Sequence, residues 1–320
     1  MIRPLALFRA LADPTRLRIL ALLRRMELAV GELAQVLGQS QPRVSRHIRI
    51  LVEAGLARRR KEGSWVFLEL GEAATASPAL RAIDAWNDGA SEDHWTIADA
   101  ARLAAVRADR AAAAERYFAD HADHWDGLRS LHVAESQVEA AMGRVLGDAP
   151  LGRLVDAGTG TGRMIALFGP RASQATGIDR SPEMLRVARG KLSAEHGFGW
   201  DLRKGDVTRL PLADASADTA ILHQVLHYLP DPEPAIRDLA RVLDVDGRLL
   251  IVDFAPHDRE ELRTSDAHAR LGFSDAQIEG WLAAAGLAID RSEALKGGAL
   301  TVKLWLGRKH AAPVLKAVAA

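Results

Sequence analysis

Over the first seventy positions, apolar residues recur at helical spacing in short runs broken by glycine and polar residues. Asp13-Pro14 reads as an N-cap and first helical position, and Leu17, Ile19, Leu20, Leu22 and Leu23 predict a helix to about Met26. Val30 to Leu37 predicts a second, shorter amphipathic helix ended by Gly38. Ser40 then stands as an N-cap, and Ile48, Leu51 and Val52 give the inward side of a third helix running to about Ala54, before Gly55. From Leu56 to Leu70 the spacing turns to apolar–polar alternation around Glu62-Gly63, a β-hairpin. Helix, tight glycine-containing turn, helix and hairpin together make a helix-turn-helix with a wing. Residues 72–115, rich in alanine and charge, favour helix, with Gly89-Ala90-Ser91 dividing the stretch in two.

Beyond Leu151 the period alternates between strand and helix. LGRLVDAG predicts a buried strand ending at Asp156, and Gly158 to Gly162 turns into a helix through about Phe168. Further strands are expected at Gln174–Asp179, Phe198–Lys204, Thr219–His223 and Gly247–Phe254, with a helix from Ser181-Pro182 to about Lys191. Such alternation makes a multidomain α/β chain whose second part is a parallel sheet covered on both faces, with ligands at the carboxyl ends of its central strands.

A length of 320 residues fits two domains and a connector. Cysteine is absent, which removes disulfides, thiolate metal sites, iron–sulfur clusters and cysteine nucleophiles. No run of uncharged apolar residues is long enough to span a membrane, and the N-terminal stretch reads as a helix and not a signal peptide, so a cytoplasmic location is expected. Net neutrality conceals an asymmetry. Residues 1–70 hold 13 Lys and Arg against 6 Asp and Glu, and the remainder is correspondingly acidic. A basic head points to a polyanion partner, and double-stranded DNA fits the helix-turn-helix. Candidate DNA contacts are Ser40, Gln41, Arg43, Ser45, Arg46 and His47 on the third helix, with Arg58, Arg59, Arg60 and Lys61 on the wing as phosphate contacts.

DPTRLRILALL, SQPRVSRHIRIL, VEAGL and the wing ending in EGSWVFLEL resemble the ArsR-type winged-helix repressors over about residues 4–72. The resemblance implies a homodimer on a palindromic operator, with the helix after the wing at the dimer contact, where Ile83 and Trp86 are candidates. Many such proteins sense metals through thiolates. Here Ala29 and Gly31 stand at those positions, within ELAVGELA, so no metal is expected and the signal must come from elsewhere. His94, and the pair His121 and His124, lack a partner set at metal-site spacing and read as solvated histidines.

The remaining question is what binds at Asp156-Ala-Gly-Thr-Gly-Thr-Gly162. A P-loop would need Lys after its last glycine, and a dinucleotide fingerprint would have glycine where Arg163 stands. Asp156 at the strand end suits a ligand ammonium, Asp179 can accept from both ribose hydroxyls, and Asp206 suits an adenine amine. VDAGTGTG, TGIDRSPEML, KGDVTRLPLADASAD and TAILHQVLHYLPDP, in that order, resemble the class I S-adenosylmethionine-dependent methyltransferases over about 115–310. The resemblance implies a Rossmann-like sandwich with a mostly parallel seven-stranded sheet closed by a terminal hairpin, GLAIDRSEALKGGALTVKLWLGR. It implies S-adenosylmethionine or S-adenosylhomocysteine held by Asp156, Gly158, Thr159, Gly160, Gly162, Asp179, Arg180, Met184, Gly205, Asp206, Val207 and His223, and a lid at Tyr117–Asp126. The expected division is a head at 1–72, a helical connector and dimerisation segment at 73–114, a methyltransferase-like domain at 115–310 and a tail at 311–320.

Methyl transfer from a sulfonium needs alignment above all, and a base only for a poor nucleophile. His223 and His227, four apart, would share one face if helical, and His227 is either such a base or an unreactive helix residue. The absence of an N-P-P-[YF]-like turn at His223-Gln224 argues against DNA bases as acceptors, and the absence of cysteine against arsenic. The leading expectation is a transcriptional regulator whose second domain couples adenosyl-ligand binding to operator binding through the connector. The alternative is an active methyltransferase of a small molecule, with the head serving dimerisation or self-regulation.

Overall fold

The computed structural model describes residues 3–62, 65–87, 94–121, 134–193, 198–296 and 300–310. Two compact units divide it at Ala111/Ala112.

The first unit opens with α1 (Arg3–Leu11) and α2 (Pro14–Leu23). Asp13 caps α2 as its spacing predicts, accepting the Arg16 N–H at 3.1 Å. Then come β1 (Leu28–Ala29), α3 (Val30–Leu37), α4 (Gln41–Glu53), and a hairpin of β2 (Ala57–Glu62) and β3 (Trp65–Leu70). β3 lies between β1 and β2, pairing antiparallel with each. Ile19, Leu20, Leu33, Val36, Ile48 and Leu51 fill the core between the helices and this small sheet. Two helices follow, α5 (Ala73–Asn87) and α6 (His94–His121).

The connector's second helix is not a loose tether at its start. Leu103 and Val106 are buried in the winged-helix core, in step with Asp99 at i, i+4 and i+7. Asp99 receives Arg18 Nη2 at 2.6 Å and Nε at 2.7 Å, a bidentate pair almost shut off from solvent. The Arg18 guanidinium lies 4.6 Å from the Trp95 ring centroid, and Arg102 donates to the Val36 carbonyl at 3.2 Å. Of the connector positions singled out above, Ile83 is half-buried and His94 is exposed beside Trp95. The side chains of Trp86, Tyr117 and His121, and all of His124, lie outside the described residues.

The second unit begins its described part with α7 (Glu135–Leu146) and continues β4 (Gly152–Ala157), α8 (Arg163–Phe168), β5 (Ala172–Asp179), α9 (Pro182–Leu192), β6 (Trp200–Lys204), β7 (Ala217–His223) and α10 (Glu233–Val242). It ends β8 (Leu243–Phe254), α11 (Leu262–Ser265), α12 (Asp275–Ala284), β9 (Leu287–Lys296) and β10 (Thr301–Lys309). Strand order is β6-β5-β4-β7-β8-β10-β9, with the first five parallel and the closing hairpin antiparallel. The seven-stranded, mostly parallel sandwich expected from the sequence is the fold observed. Met142, Ile165, Leu185 and Leu192 pack on one face of the sheet, and Ile236, Leu239, Ile278 and Leu282 on the other. Among the described residues no helix is long and apolar enough to cross a membrane.

Asp99→Ala strands the Arg18 guanidinium in a nearly closed setting. It should destabilise the winged-helix unit by about 3 kcal/mol, read as a lowered midpoint in urea denaturation.

Candidate ligand site and nucleic-acid interface

Strand order reverses between β4 and β7, and the loops leaving β4, β5, β6 and β7 converge at that point. Gly158, Gly160 and Gly162 hold φ of 73°, 51° and 82°, a region that costs an ordinary L residue about 1–2 kcal/mol. At Gly158 a Cβ would lie 2.4 Å from Val225 Cγ2, so glycine there lets the β4 loop rest against the chain after β7.

The N–H groups of this loop point back into the protein. Gly158 and Thr159 both donate to the Ile178 carbonyl, at 2.7 and 2.9 Å, and Gly162 donates to the Thr159 carbonyl at 2.8 Å. Gly160 donates to Asp179 Oδ2 at 2.8 Å. A pyrophosphate cradle needs such groups turned outward, and this loop does not offer them.

Asp179 holds the other loops. Its Oδ1 accepts the Ser181 N–H at 2.8 Å and its carbonyl accepts the Gly205 N–H at 3.0 Å. Burial pushes the Asp179 carboxyl above the ordinary aspartate range, against the backbone N–H groups that favour its ionised form. Ser181 caps α9 by accepting the Met184 N–H at 3.2 Å, which fixes buried Met184, while Arg180 is exposed. Asp156 is 1% exposed, and its Oδ2 accepts the Thr159 hydroxyl at 2.5 Å. Half-buried Asp206 accepts the Thr208 N–H at 2.8 Å and hydroxyl at 2.7 Å, with Val207 buried beside it.

His223 and His227 do not share a helix face. β7 ends at His223, which is buried, the chain reverses through Gln224 at φ 53°, and His227 falls in a 3-10 turn, Leu226–Tyr228. His227 is an anchor: Nδ1 is 2.9 Å from Asp253 Oδ1, and its carbonyl accepts the Ala269 and Arg270 N–H groups, both at 2.9 Å. The rings of Tyr228 and His268 lie 4.0 and 4.2 Å from the His227 ring. Neither Asp253 nor His268 stood out in the sequence. Asp253 had one signal, a carboxylate at the carboxyl end of a central strand; His268 had none. Among the described residues no group of His, Asp and Glu has an arrangement that could hold a metal.

On the head, Val44, Ile48 and Leu51 face the core, and Gln41, Arg43, Arg46 and Arg49 are exposed on the opposite side of α4. Arg49 was missed, although it stands three residues after Arg46 on the same face. Ser40 is exposed and Ser45 half-buried; His47 is half-buried, with Nδ1 3.6 Å from Asp13 Oδ1. The strand pleat divides the four wing cations two and two. Arg58 pairs with Glu69 at 3.0 Å and Arg60 with Glu27 at 2.5 Å, on one face. Arg59 and Lys61 are exposed on the other and form no ion pair among the described residues.

A winged-helix head followed by a class I methyltransferase fold defines the class of protein. The family described as "Bacterial regulatory protein, arsR family" matches residues 13–59, and "Methyltransferase domain" matches 155–251. The arsenical resistance operon repressor of Escherichia coli is 45% identical over 84 residues, covering 26% of this chain and 72% of its own length. An uncharacterized Bacillus subtilis methyltransferase, YcgJ, is 34% identical over 107 residues, 33% of this chain and 42% of its own. The demethylmenaquinone methyltransferase of Deinococcus radiodurans is 33% identical over 153 residues, 46% of this chain and 63% of its own, so the chain spans less than two thirds of either methyltransferase. Among solved structures, a chain from the complex of the Haloferax volcanii Trm112 methyltransferase activator with a protein described as a methyltransferase matches at a TM-score of 0.51 and 18% identity, over 61% of this chain and 98% of its own. The chain belongs to the ArsR family of bacterial regulatory proteins, with a class I methyltransferase domain fused behind the DNA-binding head.

At about pH 8, Arg49→Ala and Arg59→Ala should each weaken duplex DNA binding and lower the slope of log affinity against log salt by about one, the change expected when one fewer phosphate is neutralised. Arg58→Ala should change that slope less than Arg59→Ala, because Glu69 already neutralises Arg58.

Proposed function

We propose that the chain is an operator-binding regulator whose methyltransferase domain binds S-adenosylmethionine or S-adenosylhomocysteine and couples that binding to the DNA affinity of the head. One observation carries the reading. Residues suited to a donor site follow, in the sequence, a winged-helix head with a basic recognition helix and with Ala29 and Gly31 at the positions where the resemblance puts metal thiolates. The site's residues fit an adenosyl amino acid: Gly158 lets the β4 loop lie against Val225 after β7, and Asp179 offers a carboxylate to ribose hydroxyls. Asp206 stands for the adenine edge, and Asp156 with Thr159 shapes the side toward the ligand ammonium. The coupling route is the connector, whose start is fixed to the head by Arg18–Asp99, Leu103 and Val106. A homodimer fits the apolar side chains exposed on the head, Leu5, Phe8, Trp95 and Ile97.

The second reading, methyl transfer to a small molecule, draws on the 33% identity with the demethylmenaquinone methyltransferase and on the buried His227–Asp253 pair. Bound S-adenosylmethionine would supply an electrophilic methyl group. The chain's own part would be alignment, with His227 holding the loop after β7 against the segment after β8.

The first test is fluorescence anisotropy of a duplex from the chain's own upstream region, at fixed salt, titrating each adenosyl ligand in turn. A shift in DNA affinity of about tenfold or more, at least ~1.4 kcal/mol of coupling, is the expected result. Tight ligand binding with unchanged DNA affinity would refute coupling and favour the methyltransferase reading.

Two further outcomes concern the site itself. Gly158→Ala should weaken ligand binding by about tenfold or more, about 1.4 kcal/mol or above, read by isothermal titration calorimetry. Ligand affinity should fall as pH drops through the raised Asp179 titration, since the protonated carboxyl loses one acceptor for the ribose diol. Asp179→Asn should bind weakly with a flatter pH profile.

A further inference from the structure

The helix α6 grips the turn from which the recognition helix α4 starts. An α-helix leaves its last four carbonyls without partners of its own, and in α3 those belong to Ala34, Gln35, Val36 and Leu37. The turn itself satisfies the first two. The Gln39 N–H donates to the Ala34 carbonyl at 3.0 Å, and the Gly38 N–H to that of Gln35 at 3.2 Å. Arginine side chains take the other two. Arg102 of α6 donates from Nη1 to the Val36 carbonyl at 3.2 Å, and Arg18 of α2 from Nη2 to that of Leu37 at 3.3 Å. Asp99 of α6 holds both arginines, its Oδ1 lying 2.6 Å from Arg18 Nη2 and 3.8 Å from Arg102 Nη1. Arg102 also rests against the turn, for a Cβ on Gly38 would stand 3.6 Å from its Nη1.

We propose that Arg102, held by Asp99, is a positioning residue for DNA recognition: through the Gly38 turn, α6 sets the angle at which α4 meets the major groove. Only Gly38, Gln39 and Ser40 separate α3 from α4, too short a link to absorb a change at the end of α3 without passing it on. The bend is made at Gly38, whose φ is 63°. Gln39 is fixed from another side, donating from Nε2 to the Thr15 hydroxyl at 3.3 Å. The two carbonyls that arginine takes lie at the negative end of the α3 dipole, where cations bind favourably. A shift of α6 takes Arg102 from one of them and the anchor of Arg18 from the other, so both are disturbed together. Arg102 stands on neither α4 nor the wing. Its role therefore differs from a phosphate contact in what it predicts: base discrimination changes while the number of neutralised phosphates stays the same.

This inference rests on the head's binding duplex DNA. The test uses the full chain, a duplex enriched by in vitro selection from random sequence, and a scrambled duplex of the same composition. Affinity for each is measured by anisotropy across a salt series for the native protein, Arg102→Ala and Arg102→Lys. Arg102→Ala should lose about three- to tenfold of the ratio between selected and scrambled affinities, with the scrambled affinity and the salt slope unchanged. Arg102→Lys keeps a donor for the Val36 carbonyl and should retain most of the ratio. Partial unfolding lowers both affinities equally and leaves the ratio alone, so a merely structural role does not move this readout. An equal loss on both duplexes, with a salt slope lower by about one, would make Arg102 a phosphate contact and overturn the inference. An unchanged ratio in Arg102→Ala would overturn it as well, while leaving DNA binding intact. If selection enriches no duplex, the DNA-binding reading fails, and this inference with it.

Discussion

Five backbone N–H groups from three loops end on two consecutive residues, Ile178 and Asp179, at the carboxyl end of β5. Gly158, Thr159 and Gly160 come from the loop after β4, Ser181 from the turn into α9 and Gly205 from the end of β6. A parallel sheet leaves its strand ends without the ladder partners that a hairpin would supply, and buried polar groups there must find others. Here two adjacent carbonyls and one carboxylate meet that requirement for the loops leaving β4, β5 and β6. The same N–H donors favour the ionised Asp179 carboxyl while burial works against it.

The head solves a different problem. A small three-helix core with a three-stranded sheet has little apolar area to bury. It recruits Leu103 and Val106 from a helix that begins more than twenty residues beyond the end of the wing. The Arg18–Asp99 pair fixes where that helix docks, and Trp95 and Arg102 add contacts on either side.

Much of this was legible in the sequence, for identifiable reasons. Caps at Asp13 and Ser181, glycine stops and the three motif glycines each encode a local backbone requirement, and local requirements survive without knowledge of the fold. Asp156, Asp179 and Gly205 could be placed at one edge from the sequence because strand ends in such a sheet share it. What escaped depended on pairing across the chain. Four consecutive cations gave no hint that Glu27 and Glu69 would take two of them. His227 and Asp253 are 26 positions apart and meet only because β7 and β8 are neighbours. The helical spacing of His223 and His227 failed because Gln224 takes a left-handed backbone conformation between them.

The docking of α6 bears on how such fusions arise. The wing closes at Leu70, yet the hydrophobic interior of the head closes only at Val106. A recombination joint at the end of the wing would import a new domain and remove part of the old one's core in the same event. Heritable exchange of the partner domain is therefore least damaging beyond Val106. The head as a folding unit is longer than its winged-helix segment, and the surplus includes the first turns of α6.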